Sequence, residues 1–198
     1  MLKIGLTGGI GTGKSLVTSF LQDQGANVIN ADLLGHEAYL PGTVGFEQVV
    51  SEFGEGIVGE DGHVDRQKLG PIVFSDPSNM DRLNAIMHPL IKDMIQTQLD
   101  DVEGKGQLIA IVEAAVLIEA GWESLFDEIW VVTADEEEII SRLASRNGLS
   151  REDSQKRINS QMTSIERSAH GDVIINNTGS VEDLKENVES LWAQRVSR

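Results

Sequence analysis

A glycine-rich segment, Gly8–Ser15, carries the strongest chemical signal in the sequence. Its letters, GGIGTGKS, match G-x-x-x-x-G-K-[ST] without a gap. Glycines would let backbone N–H groups approach a β-phosphate, Lys14 would supply a positive charge for the β- and γ-phosphates, and the Ser15 hydroxyl would ligate Mg²⁺. The alternative is a fortuitous glycine turn. Because the segment lies between a predicted strand over residues 2–7 and an amphipathic helix beginning near Gly13, we predict a nucleoside triphosphate site.

A carboxylate follows the second predicted strand. Val28 and Ile29 begin that strand, which should end near Asp32. Because the carboxyl ends of parallel strands meet at one edge of a sheet, Asp32 should face the γ-phosphate. A kinase needs a proton acceptor there for the substrate hydroxyl, or a water-mediated Mg²⁺ partner. The alternative is that Asp32 is the N-cap of the next helix, a position that favours Asp.

Motifs of other nucleotide-binding classes are missing from the sequence. The N-K-x-D motif with which GTPases recognise the base does not occur. The D-x-x-G pattern at 32–35 comes too soon after the glycine-rich segment to be a GTPase switch. Glu113 ends an apolar run alone, so no Walker B segment is predicted. The sequence therefore does not predict a GTPase.

Basic residues are scarce but concentrated between positions 142 and 167. Arg142 and Arg146 are four residues apart, so they should share one face of a helix. Further basic residues follow at Arg151, Lys156, Arg157 and Arg167. One interpretation is a lid that closes over the transferring phosphates. The other is a solvated helix whose cations pair with neighbouring glutamates.

The elements that must position these residues alternate between strands and helices. Apolar runs at 108–112, 128–132 and 172–175 predict further strands, and a capping box at Ser180 predicts a final helix. This alternation indicates a parallel α/β sheet. Residues 36–104 instead predict a mostly helical insertion, interrupted at Pro89, which would place His88 at a helix end.

Length and composition limit the possible classes of protein. The chain has 198 residues, no cysteine and a net charge of −16. Thiolate metal sites, disulfides and cysteine nucleophiles are therefore excluded, and the charge disfavours binding to nucleic acid or anionic membranes. No apolar run has the roughly 18–20 residues of a membrane span, and the first residues do not form a signal peptide. We expect a cytoplasmic protein without an obligate protein partner.

Taken together, the motifs resemble the dephospho-coenzyme A kinase family, a group of P-loop kinases similar to the nucleoside monophosphate kinases. The resemblance runs from Leu6 to about Leu184 and depends on the order and spacing of its blocks. These blocks are Leu6–Ser15, Val28–Asp32, Asp65–Leu69 with Val73-Phe74, Leu83–Pro89, Ala115–Glu119, Arg157–Gln161 and Asp172–Gly179.

The resemblance implies an activity and an architecture. The activity is ATP-dependent phosphorylation of the ribose 3′-hydroxyl of dephospho-CoA, the last step of CoA synthesis. The architecture is an α/β, three-layer P-loop fold with a mostly parallel five-stranded sheet. Its expected parts are a nucleotide-binding core (1–35, 105–140 and 170–198), a helical CoA-binding domain (36–104) and a lid (141–169).

The resemblance also implies roles for individual residues. Catalytic roles fall on Asp32, Lys14 and Arg142, and Mg²⁺ binding falls on Ser15. Substrate contacts fall on Asp32 and His88. ATP contacts fall on Gly8, Gly11, Thr12, Gly13, Lys14, Ser15, Leu16, Arg142 and Arg146.

Three residues depart from the usual pattern of that family. Asn30 stands where an aspartate is common, Leu16 replaces a threonine and Ala115 replaces a proline. Two other functions stay open. One is phosphorylation of another small hydroxyl or nucleotide, and the other is a nucleotide-gated regulatory module. The carboxylate at Asp32 and the arginines favour an enzyme, and the 36–104 insertion favours a bulky acceptor.

Overall fold

The fold is organised around a five-stranded sheet, seen in a computed structural model that describes residues 1–197. Strand β1 lies in the centre and pairs in parallel with β3 and β4, while β4 pairs in parallel with β5. The order across the sheet is β2-β3-β1-β4-β5. The strands are β1 (Leu2–Gly8), β2 (Asn27–Asn30), β3 (Ile109–Glu113), β4 (Glu128–Thr133) and β5 (Val173–Asn176).

Helices fill most of the remaining chain, together with two short 3₁₀ helices at Glu55–Ile57 and Glu123–Leu125. Residues 151–168 form two short helices separated by a turn. The helices are α1 (Lys14–Asp23), α2 (Ala31–Glu37), α3 (Val44–Phe53), α4 (Arg66–Ser75), α5 (Pro77–Gly104), α6 (Glu136–Asn147), α7 (Arg151–Asn159), α8 (Ser164–Ser168) and α9 (Val181–Val196).

The main hydrophobic core covers one face of the sheet. Ile4 and Leu6 alternate along β1 and belong to one buried cluster with residues of α1 and α9, among them Val17 and Leu184. On the other face, a Cβ at Gly5 would lie 2.6 Å from Leu117 Cδ1. This close packing leaves no room for a side chain at that position. The predicted parallel α/β sheet of five strands is confirmed.

Helix α5 corrects one expectation. It runs without a break from Pro77 to Gly104, through Pro89, where an interruption was predicted. Proline costs one backbone hydrogen bond and crowds the preceding turn. However, Met87, Ile91 and Ile95 are buried along the helix, and this burial offsets the local loss.

The chain divides into two units. The first contains Met1–Ile29 and the chain from Leu99 onward, and the second is Asn30–Gln98. Arg198, the last residue of the expected 170–198 core segment, lies outside the described residues. Within the described chain, none of the helices has both the length and the apolar character needed to cross a membrane.

Candidate active site

The phosphate loop joins the end of β1 to the start of α1. Gly13 has φ 94° and serves as the N-cap of α1, and Gly11 has φ 71°, so both adopt the left-handed conformation that glycine tolerates. A Cβ at Gly13 would also collide with the side-chain amide of Asn177. That amide donates a hydrogen bond to the carbonyl oxygen of Thr12 at 2.8 Å. The loop is therefore held in shape by a residue 165 positions away along the chain.

The charge of Lys14 is paired with a carboxylate that the sequence did not assign to the site. Lys14 Nζ lies 3.0 Å from Glu113 Oε1, and their side chains are only 14% and 6% exposed. The Ser15 hydroxyl lies 3.5 Å from the same oxygen. Glu113 was interpreted as an isolated carboxylate at the end of an apolar run. Its position at the end of β3, paired in register with Leu6 of β1, brings it to the phosphate loop.

Arg142 joins the phosphate loop to the segment after β5. Its guanidinium donates to the carbonyl oxygens of Gly11 at 3.3 Å and Thr12 at 3.4 Å, and to that of Asn177 at 2.9 Å. It also pairs with Glu138 at 2.7 Å, one turn earlier on α6. Arg142 therefore lies against the phosphate loop, and its guanidinium is paired with Glu138.

A cleft of about 630 Å³ opens over the phosphate loop. The predicted residues Leu16 and Arg146 line it, as do Lys14 and Ser15. Arg157 of α7, one of the basic residues for which a lid or a solvated helix was predicted, also lines the cleft. Neither Arg146 nor Arg157 has a carboxylate within ion-pair distance among residues 1–197. In a chain of net charge −16, two arginines without a counter-charge beside a phosphate loop indicate a site for anions.

Other cations of the 142–167 segment are paired with glutamates. Arg151 pairs with Glu137 and Lys156 with Glu152 on the exposed surface. Arg167 is 2% exposed and pairs with Glu119 at 2.7 Å. The solvated-helix interpretation therefore holds for Arg151 and Lys156, whereas the phosphate interpretation fits Arg146 and Arg157.

The α7–α8 turn also contacts the phosphate loop. The backbone N–H of Ile10 donates to Gln161 Oε1 at 2.8 Å. Gln161 is the last residue of the block Arg157–Gln161 in the family resemblance. Nothing in its residue type alone indicated this contact. The turn is thereby fixed to the loop that would hold the nucleotide.

Asp32 and His88 both lie in the second unit. Asp32 is exposed in the first turn of α2, two residues after β2 ends. The N-cap of α2 is Asn30, whose side-chain oxygen accepts from the Leu33 N–H at 3.0 Å. The N-cap interpretation of Asp32 is therefore wrong, because β2 ends at Asn30 and the helix begins two residues earlier than predicted. His88 is half-buried inside α5, so its placement at a helix end is also wrong.

The strand–loop–helix unit, the central parallel β1 and the cationic cleft define a P-loop kinase fold and site. A family model described as dephospho-CoA kinase matches residues 2–183. The chain therefore belongs to the dephospho-CoA kinase family, as the sequence blocks predicted.

Individual relatives agree with this assignment. The dephospho-CoA kinase of Geobacter sulfurreducens is 45% identical over 192 residues, which cover 97% of this chain and 98% of the relative. The crystal structure of TT1252 from Thermus thermophilus matches with a TM-score of 0.83 and 34% identity, covering 98% of this chain and 97% of that one. A dephospho-CoA kinase from Campylobacter jejuni matches with a TM-score of 0.74 and 26% identity, covering 98% and 96%.

Proposed function

We propose that this protein transfers the γ-phosphoryl group of ATP to the ribose 3′-hydroxyl of dephospho-CoA, giving coenzyme A and ADP. The observation that carries the proposal is the cleft over the phosphate loop, where Arg146 and Arg157 have no counter-charge among the described residues. Membership of the dephospho-CoA kinase family supports the choice of acceptor.

The first unit would bind the nucleotide. Backbone N–H groups of Gly11, Thr12 and Gly13 would approach the β-phosphate, with Gly8 and Leu16 at the two ends of the loop. Lys14 would exchange its ion pair with Glu113 for contacts to the β- and γ-phosphates. Arg142 and Arg146 would stabilise the charge that develops on the transferred group.

A divalent cation fits the same place. The Ser15 hydroxyl and the Glu113 carboxylate bring hard oxygen donors within 3.5 Å of each other, the ligand type that Mg²⁺ prefers. Ser15 would hold the ion directly, with Glu113 nearby. When bound, Mg²⁺ neutralises charge on the β- and γ-phosphates.

Asp32 and His88 would serve the acceptor. We propose that Asp32 takes the proton from the 3′-hydroxyl as that oxygen bonds to the γ-phosphorus and the bond between the γ-phosphorus and the β–γ bridging oxygen breaks. His88 would contact the substrate. The residue ranges expected for the core, the CoA-binding domain and the lid belong to this proposal, with the lid at 141–169 closing on the nucleotide.

The charge of the protein and the nature of its substrate support a proposal for its location and partners. A net charge of −16 repels nucleic acid and anionic membranes, which supports action on a diffusible small molecule. We propose that the protein works in the cytoplasm and needs no obligate protein partner.

The acceptor is tested by an assay of ATP consumption. We expect dephospho-CoA to be phosphorylated with a kcat/KM at least about 10³ times that for AMP, CMP, shikimate or gluconate, because these compounds lack the diphosphate and pantetheine part of the proposed acceptor. Preference for another compound of this panel would support the alternative of a different small-molecule kinase. ATP binding without turnover on any acceptor would support a regulatory module.

Arg157 offers a second prediction with a control on the same helix. Replacing Arg157 by Met should raise the KM for ATP by about tenfold or more, because a charge-assisted contact to phosphate is lost. Replacing Arg151 by Met should leave that KM nearly unchanged, since its charge is already paired with Glu137. Equal effects of the two variants in steady-state kinetics would contradict a phosphate contact at Arg157.

A further inference from the structure

Besides Arg146 and Arg157, a third arginine of the described chain has no carboxylate partner: Arg66, which lies in the second unit. An Arg66 guanidinium nitrogen lies 2.8 Å from Nε2 of His36, and the guanidinium carbon lies 5.7 Å from the centroid of the Tyr39 ring. No Asp or Glu of the described chain lies within ion-pair distance of Arg66. Its neighbour Asp65 is engaged as the N-cap of α4, accepting from the Gln67 N–H at 2.8 Å.

The chemistry of these three side chains leaves a positive charge and several hydrogen-bond donors free. Arginine has no acceptor, so His36 Nε2 must accept the hydrogen bond and the ring proton resides on Nδ1. Burial raises the pKa of Tyr39, with the nearby Arg66 charge acting in the opposite direction, so its hydroxyl stays protonated at neutral pH. Neither the His36 Nδ1–H nor the Tyr39 hydroxyl has a hydrogen-bond partner within residues 1–197. The cluster carries one positive charge and several free donors.

A comparison within the same unit shows that this arrangement is unusual. Arg82 also lies over an aromatic ring, with its guanidinium carbon 5.7 Å from the centroid of Phe53. Arg82 is neutralised by Glu52 at 2.6 Å, as expected for a surface cation in an acidic chain. Arg66 is instead held by a neutral histidine, which fixes its position and leaves its charge uncompensated.

The cluster is also close to the proposed base. Asp32 and His36 are four residues apart on α2, so their side chains share one face with about 5–6 Å between Cβ atoms. An anion on Arg66 would therefore lie about one helical turn from Asp32. In dephospho-CoA, the 3′-hydroxyl and the 5′-diphosphate are substituents of the same ribose.

We propose that Arg66, positioned by His36 and Tyr39, binds the 5′-diphosphate of the acceptor nucleotide and thereby presents the 3′-hydroxyl to Asp32. The proposal rests on the proposed function, since it assumes that acceptor. It assigns a diphosphate ester site to the second unit, separate from the phosphate loop that binds ATP.

The test compares Arg66→Met with Arg82→Met. Methionine keeps an aliphatic stem over the ring and removes the charge and the donors. Arg66→Met should raise the dissociation constant for dephospho-CoA, measured by calorimetry without ATP, by about 10- to 100-fold. The KM for dephospho-CoA should rise by a similar factor. The KM for ATP should change by less than about twofold. Arg82→Met should leave all three values near those of the wild type.

Two conservative variants separate positioning from folding. His36→Gln retains an acceptor for Arg66 and should keep dephospho-CoA affinity close to that of the wild type, whereas His36→Phe should weaken it. Arg66→Lys keeps the charge but loses the planar fork, so its affinity should lie between those of the wild type and Arg66→Met.

The outcomes distinguish the two proposals. Normal dephospho-CoA affinity in Arg66→Met, or an effect on ATP instead, would overturn the diphosphate site while leaving the proposed function intact. Failure of the wild-type protein to bind or phosphorylate dephospho-CoA would overturn both. If Arg66→Met also lowered the melting temperature while ATP binding was unaltered, Arg66→Lys would separate an effect on folding from an effect on binding. A normal affinity of Arg66→Lys for dephospho-CoA would count against the planar diphosphate contact.

Discussion

Replacing Lys14 by Met should reduce kcat/KM to background, a fall of at least about 10³-fold, because the cation that contacts the β- and γ-phosphates is lost. Saturating ATP should not restore turnover, since the missing contact also stabilises the transition state. Steady-state kinetics with dephospho-CoA measures the effect. Turnover within tenfold of the wild type at saturating ATP would contradict this role for Lys14.

The structure predicts that Lys14→Met also lowers the stability of the fold. If Lys14 were an exposed loop cation, the fold would tolerate its loss. Its side chain is instead 14% exposed and paired with Glu113, which is 6% exposed. Removing one partner of such a buried pair costs about 3–5 kcal/mol in the free energy of unfolding.

A double variant separates the two effects. Lys14→Met combined with Glu113→Gln removes both charges, so the melting temperature should recover towards that of the wild type. Turnover should stay at background, because the phosphate contact is still missing. If the double variant were as unstable as the single one, the ion pair would not be the cause of the instability.

The parts of the site that could be predicted from sequence lie close together along the chain. The phosphate loop is one contiguous segment, and its flanking strand and helix show in the hydrophobic pattern. Arg142 and Arg146 could be paired because a helix places residues four apart on one face. In each case the geometry follows from local spacing alone.

The remaining parts depend on the order of strands in the sheet. Glu113 reaches Lys14 only because β3 lies beside β1, a neighbour relation between residues 99 positions apart. Asn177 holds the phosphate loop from the end of β5 for the same reason. The sequence does place a carboxylate, Glu113, at the end of a buried strand. It does not indicate which strand lies beside it.

Two predictions about helices were wrong because competing local interactions decided the outcome. Pro89 was expected to interrupt a helix, yet burial along α5 outweighs its missing hydrogen bond. Asp32 and Asn30 are both good N-caps, and sequence spacing could not choose between them. The structure assigns the cap to Asn30, which leaves the exposed carboxylate of Asp32 without a structural role as a cap.

Asp32→Asn should lower kcat by about 10²–10⁴-fold, the usual contribution of general-base assistance. Asparagine keeps the shape of the side chain but removes the charge and the proton acceptor. The dissociation constant for ATP should change little, because the variant leaves the phosphate loop intact. Stability should fall by only about 0.3–1 kcal/mol, through the lost interaction of a negative charge with the first turn of α2.

Asn30→Ala is the matched control for Asp32→Asn, since it changes the same turn without touching the proposed base. It removes the hydrogen bond to the Leu33 N–H and should lower the free energy of unfolding by about 0.5–2 kcal/mol. Its kcat should stay within a few-fold of the wild type. The two variants therefore differ in turnover: Asp32→Asn loses turnover with a small loss of stability, while Asn30→Ala loses as much stability or more and keeps its turnover. An unchanged kcat in Asp32→Asn would remove this residue from the mechanism, because the amide of asparagine cannot accept the proton of the hydroxyl.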